Sequence, residues 1–195
     1  MTSISPLANV LVKGLFGDHE DKVEDKLTKV KEKKNLLIVQ IVQYKNSTSK
    51  IKEISIDGLS LPLEALKVNS NNSSRILWCG PKNWILVSQK KNILQVIKKT
   101  FSKNDFALTD LSHSRAIIEL EGENSKEVLK KGCPFNFNEL KKDKCVNSVF
   151  NGITITIDMI NDNPINLRLF ALRSFGESLY HSITDSCLED GYKGI

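Results

Sequence analysis

Asn151-Gly152 stands between two runs rich in β-branched residues, Cys145–Phe150 and Ile153–Ile160. Two residues that tolerate positive φ, placed between two such runs, form the strongest short-range hairpin signal. This part of the chain is therefore committed to neighbouring antiparallel strands. The turn Asn161–Pro164 then leads into a third apolar run, Ile165–Leu172. A second hairpin is written earlier: Arg75–Cys79 and Trp84–Ser88 flank Gly80-Pro81-Lys82-Asn83, where Gly and Pro each supply a backbone geometry that turns require. Read as a four-residue loop, it sets Cys79 opposite Trp84 and Trp78 opposite Ile85. Both faces of this hairpin are then apolar, so the second face must be covered by a helix of this chain or by a partner.

The remaining segments fill in an α+β pattern. Leu36–Tyr44 and Lys50–Ile56 read as two antiparallel strands joined by the polar turn Asn46–Ser49, and Phe106–Leu111 and Ala116–Glu121 as two more. Gln89–Phe101 switches to helical period, with Ile93, Leu94, Ile97 and Phe101 on one side and Ser88 at its start. Ser125–Lys131 is a short helix stopped by Gly132. A final helix spans about 173–190, with Phe175, Leu179, Ile183 and Cys187 in one stripe and Gly191 at its end. Asp18–Lys34 is densely charged, with only Val23, Leu27 and Val30 apolar, and reads as a solvated helix or linker. The expectation is an N-terminal extension over 1–34, followed by an α+β domain over 35–195. That domain is built of two sequential halves, about 35–104 and 105–195, with helices packed on antiparallel sheets.

Composition narrows the functional classes. The net charge of +5 comes from 28 Lys and Arg against 23 Asp and Glu, and only four of the 28 are Arg. The Lys residues fall in scattered pairs (90 and 91, 98 and 99, 130 and 131, 141 and 142) without a dense basic run or interleaved aromatics, which disfavours nucleic acid. The four Cys at 79, 133, 145 and 187 form no CxxC pair, and the three His have no metal-ligand spacing. No Gly-rich phosphate loop follows any strand. The early apolar stretch is too short for a signal peptide or a membrane span, so a cytoplasmic chain is expected.

Candidate chemistry is sparse. Asp110-Leu-Ser-His-Ser-Arg115 holds the residue types of a nucleophile, a base and an orienter. Neighbours along one turn point in different directions, however, and cannot converge as a triad must. Cys133 has no adjacent His to activate it. No catalytic, cofactor-binding or metal-binding residue is assigned.

The same residues, taken in order, resemble a known family. Asp110-Leu-Ser-His-Ser-Arg115, Ile117-Ile-Glu-Leu-Glu-Gly122 and the helix ending Glu127-Val-Leu-Lys-Lys-Gly-Cys-Pro134 are similar to the folate-binding, aminomethyltransferase-like fold. More closely, they resemble the gamma subunits of heterotetrameric sarcosine oxidase. The Trp-x-Gly-Pro-x-x-Trp hairpin of that family is matched by Trp78–Trp84, its Gly-Cys-Pro loop by Gly132–Pro134, and its Arg-Ser-Phe by Arg173–Phe175. The likeness spans about 36–187. It departs at Asn136, where the family often has Asp, at Ser148, where Thr is usual, and in the divergent stretch beginning at Asn35.

The resemblance implies an aminomethyltransferase-like fold with ferredoxin-like halves. It also implies membership of a complex that oxidises sarcosine to glycine, releases hydrogen peroxide and passes the one-carbon unit to tetrahydrofolate. FAD, FMN, NAD, folate and zinc would then lie in the alpha, beta and delta subunits, leaving this chain as a noncatalytic scaffold. The alternative is a free-standing folate-binding enzyme or regulator. The late strand carries Asp158 as its one carboxylate, and no acidic side chain for a pterin can be assigned. Trp78, Trp84, Arg115, Arg173 and Phe175 are the candidate structural or partner-contact residues. A cation is disfavoured at a helix start, so Arg173 is expected to pair with a carboxylate, with backbone carbonyls or with a partner.

Overall fold

Two separate apolar clusters collect the buried sides of the strands, and the central strands are buried along most of their length on both faces. The computed structural model describes residues 4–195. In chain order the strands are β1 (Gly14–Phe16), β2 (Thr28–Glu32), β3 (Leu37–Gln43), β4 (Ser55–Ile56), β5 (Leu59–Ser60), β6 (Val68–Ser70), β7 (Ser74–Gly80) and β8 (Asn83–Ser88). After helix α1 (Ile93–Thr100) come β9 (Phe106–Asp110), β10 (Arg115–Glu121) and helix α2 (Ser125–Lys130). β11 (Cys145–Phe150), β12 (Ile153–Asp162), β13 (Ile165–Leu172), helix α3 (Gly176–Cys187) and β14 (Tyr192–Gly194) complete the chain. The expected α+β class with antiparallel sheets and few helices is what forms.

The elements divide into two units. One comprises the chain up to Lys34 with 114–142 and 146–195, and the other 35–113 with 143–145. These are not sequential halves meeting near residue 104, and residues 4–34 are not an extension, because β2 takes an interior place in the sheet of the first unit.

In the first unit the strand order is β1-β14-β2-β10-β13-β12-β11. Its core face carries Val30, Ile118, Leu120, Leu167, Leu169, Ile157 and Met159, all completely buried. Val128 and Leu129 of α2 and Leu179, Ile183 and Cys187 of α3 close over this face. Gly176 begins α3 where a Cβ would lie 2.9 Å from that of Ala116, so its missing side chain lets the helix approach β10. The Asn151-Gly152 hairpin is present, with φ of 46° and 82° at its two central residues.

In the second unit the order is β6-β7-β8-β3-β9. Val39, Ile41, Ile76, Leu86 and Trp84 form its core face, under Ile93, Ile97 and Phe101 from α1 and its C-terminal end. The small hairpin β4-β5 turns at Asp57-Gly58, both at positive φ.

Four expectations are corrected. The charged segment 18–34 is not a helix: it holds one 3-10 turn, Glu24–Lys26, and then β2. The sequence Thr28-Lys-Val-Lys-Glu32 alternates with period two, and pairing with β10 and β14 outweighs the helical spacing of Val23, Leu27 and Val30. Lys50–Ile56 does not pair with β3, whose two edges are taken by β8 and β9; it forms a 3-10 turn and β4.

Third, the Trp hairpin has another register. Gly80 pairs with Asn83 and Trp78 with Trp84, leaving a two-residue turn and a bulge between Trp78 and Gly80. Pro81 excludes the positive φ that primed turns need at their first position, and the extra residue absorbs the resulting mismatch of twist. Fourth, the last helix is shorter than expected. A 3-10 turn, Arg173–Phe175, precedes α3, and Phe175 stands exposed, outside the stripe of Leu179, Ile183 and Cys187.

Asp57 ties the small hairpin down. Its carboxylate accepts hydrogen bonds from Ser73 Oγ (3.0 Å) and Ser74 Oγ (2.7 Å) and an ion pair from Lys90 Nζ (2.8 Å). These contacts, led by Lys90, hold its carboxyl far below the usual carboxylate range. A depressed folded-state value adds stability above the unfolded pKa of about 3.9, and that contribution is lost as pH falls below it. Asp57→Asn should lower the thermal midpoint at pH 7, and the gap from wild type should close progressively below about pH 4. Thermal melts across pH check this; a gap that is constant to pH 2 would contradict it.

Candidate functional site

On the face of the first unit's sheet opposite its core, charged residues line up across four neighbouring strands. The pairings Lys31↔Glu119, Glu119↔Arg168 and Asp158↔Arg168 place alternating charges in one row over β2, β10, β13 and β12. Glu119, Arg168 and Asp158 are buried, and Asp158 is completely so. Arg168 donates from Nε and Nη2 to Glu119 Oε1 at 2.9 and 2.6 Å, while Lys31 Nζ lies 3.5 Å from Glu119 Oε2. A second row begins beside it, with Lys29 and Lys31 at 3.6 and 3.3 Å from Glu121. Sequence reasoning missed the row because its members are far apart in the chain. Asp158 was visible as a lone strand carboxylate, but its register with Arg168 was not.

Such a row can hold charge in place: Asp158 is wholly buried and stands opposite Arg168 across the strand pair. Among the described residues, no group of three or more His, Cys, Asp and Glu is arranged to hold a metal ion. The Asp110–Arg115 segment is a polar turn. Ser112 donates from its N–H and hydroxyl to Asp110 Oδ1 at 2.9 and 2.6 Å, and its Oγ accepts the Ile38 N–H at 3.0 Å. Cys133 is buried and its thiol meets Ser148 Oγ at 3.1 Å.

The candidate partner-contact residues separate. Trp84 is core, 1% exposed, and donates from Nε1 to Pro62 O at 2.7 Å. Trp78, its cross-strand neighbour, is half-buried at the edge of the same cluster. Arg115 pairs in register with Leu172 at the end of β10 and is half-buried. Arg173 donates from Nη2 to the carbonyl oxygen of Ile4, so it clamps the N-terminal segment by a backbone carbonyl, one of its expected partners. The same segment is held by Ser5 Oγ donating to Glu32 and by Asn9 Nδ2 donating to Glu177 Oε1 at 3.1 Å.

Around Arg173 lies an open concavity of about 680 Å³ lined by Ser5, Pro6, Ser114, Leu172, Arg173, Ser174, Glu177 and Ser178. Leu172 and Phe175 are 48% and 47% exposed. The concavity is wide, shallow and mixed in polarity.

Known proteins resemble this one in sequence and in fold. The family model described as "Sarcosine oxidase, gamma subunit family" matches residues 51–189. Sarcosine oxidase subunit gamma of Corynebacterium sp. (strain U-96) is 24% identical over 136 residues, which make up 68% of this chain and 65% of that protein. The match thus spans just under two thirds of the relative's length. A chain of heterotetrameric sarcosine oxidase from Corynebacterium sp. U-96, solved in complex with pyrrole 2-carboxylate, superposes with a TM-score of 0.80 at 19% identity. That superposition covers 95% of this chain and 96% of the other. The glycine cleavage system aminomethyltransferase T from Bartonella henselae gives a TM-score of 0.65 at 12% identity, covering 93% of this chain and 57% of the enzyme. At these identities the two structures establish a shared, aminomethyltransferase-like fold.

Arg168→Met would leave Glu119 buried with only Lys31 beside it. Breaking a buried ion pair from one side costs about 3–5 kcal/mol. Urea unfolding should show a loss of that order, and adding Glu119→Gln should recover part of it. A single variant as stable as wild type would mean that the row adds nothing.

Proposed function

The chain belongs to the sarcosine oxidase gamma subunit family, and we propose that it serves as a noncatalytic subunit of a heterotetrameric sarcosine oxidase. The family match over 51–189 carries this reading. In the proposed complex, alpha, beta and delta subunits hold FAD, FMN, NAD, folate and zinc. The complex converts sarcosine, oxygen and tetrahydrofolate to glycine, hydrogen peroxide and 5,10-methylenetetrahydrofolate.

The chemistry of the chain's own residues supports a scaffold role. Its most deeply buried acids, Glu119 and Asp158, face Arg168 within the sheet. The Ser112 hydroxyl donates to Asp110, two residues earlier in the same turn, and accepts from the Ile38 backbone, so its hydrogen bonds serve to hold the turn. The thiol of Cys187 is pushed up to about 12 by burial, far from a reactive thiolate. No described helix is long and apolar enough to cross a membrane, and we place the complex in the cytoplasm.

Co-expression with the three other subunits tests the reading. The chain should co-purify in stoichiometric amount, and the isolated chain should carry no flavin absorbance, release no peroxide from sarcosine and give no heat on titration with tetrahydrofolate. Stoichiometric flavin on the isolated chain would refute the noncatalytic role. Saturable tetrahydrofolate binding without co-purification would favour the free-standing folate-binding alternative.

A further inference from the structure

The positive charge of this protein is confined to one of its two units. The unit formed by 35–113 and 143–145 holds twelve Lys and Arg against six Asp and Glu, a net of +6, while the other holds sixteen against seventeen. Within the basic unit the charge gathers around α1. Lys90 and Lys91 lie in the turn leading into the helix, Lys98 and Lys99 in its last turn, and Lys103 in the turn that follows; all five are exposed.

Folding accounts for only part of this arrangement. Lys98 and Lys99 suit the negative end of the helix dipole, but Lys90 and Lys91 sit at the positive end, where a cation is disfavoured. The first turn carries no acid to offset them. Lys90 is paired with Asp57 at 2.8 Å. The side chains of Lys91, Lys98, Lys99 and Lys103 form no ion pair or hydrogen bond among the described residues, although Lys98 is near enough to Asp110 to act on its charge. Of the nineteen lysines outside this cluster, nine, such as Lys29, Lys31 and Lys131, form ion pairs. Ile93 and Ile97 are buried on the opposite side of the helix, so Lys98 and Lys99 stand outward, with Val96 exposed at 51% beside them.

We infer that this lysine face of α1 is a docking surface for an acidic surface on another subunit of the oxidase. Complementary charge is what would neutralise four unpaired cations around one short helix, and Val96 supplies an apolar contact within the ring of charge. A protein partner suits the face better than nucleic acid does, because α1 and its flanking turns present neither Arg forks nor exposed aromatic rings for phosphate or base contacts. The inference rests on the subunit role proposed above.

The test uses the full chain co-expressed with the alpha, beta and delta subunits. Lys91→Glu, Lys98→Glu and Lys99→Glu together should reduce the chain retained in the purified complex at least about tenfold at moderate salt. Lys→Gln at the same three positions should give an intermediate loss, and the wild-type chain should dissociate as salt is raised. Lys67→Glu with Lys144→Glu, which bridge each other beside the edge strand β6 of the same unit, should be retained like wild type, and thermal melts of each variant verify folding. Retention of the folded triple-Glu or triple-Gln variant at the wild-type level would overturn the docking surface and leave the subunit role standing. A wild-type chain that never co-purifies would overturn both. Binding of the lysine face to RNA or anionic vesicles with no loss of subunit retention in the variants would also overturn it.

Discussion

Arg168 lies at the centre of the larger sheet, with Glu119 on one side and Asp158 on the other. A guanidinium buried in this way has few acceptable positions, because desolvation costs several kcal/mol unless the charge is neutralised and its donors are used. Sliding β13 by one residue against β10 would carry Arg168 into the apolar face and bring Leu167 or Leu169 out among the carboxylates. The row therefore fixes register for three strands together. Lys31 extends the same constraint to β2, which explains why a densely charged segment enters the middle of a sheet.

The distinction between local and distant information explains which parts of this fold are legible in sequence. The Asn151-Gly152 hairpin, the apolar stripe Leu179–Ile183–Cys187 and the helix stop near Gly132 depend on neighbours a few residues away, and each is where its pattern places it. β2 is not legible in this way. Its five residues acquire an extended conformation from β10, more than 80 positions later, and from β14 at the far end of the chain. The Trp hairpin shows an intermediate case. Its existence is local, but its register depends on how a proline-containing turn passes twist into a bulge, and that shift brings Trp78 and Trp84 onto one face.

Candidate site residues follow the same division. Trp84 is a core anchor whose indole N–H is satisfied by Pro62, so its prominence in sequence reflects packing. Arg173 resolves toward a backbone carbonyl at the N-terminal segment, as a planar donor set at an unfavourable helix position requires. Phe175 is the opposite case: the helical stripe assigned it to the interior, yet the 3-10 turn before α3 rotates it outward.

Fold and function part company at the carboxylates. A superposition with an aminomethyltransferase carries the arrangement of strands and helices, but not the availability of any side chain to a ligand. In this chain Glu119 and Asp158 of the larger sheet stand in register with Arg168, while the net positive charge lies in the other unit, where lysines gather around α1. Catalysis requires charged groups aimed at a reacting atom in an enclosed site, whereas association requires them on an accessible surface with complementary charge to meet. The exposed lysines around α1 have the accessibility that the second requirement asks for, in keeping with the subunit role proposed above.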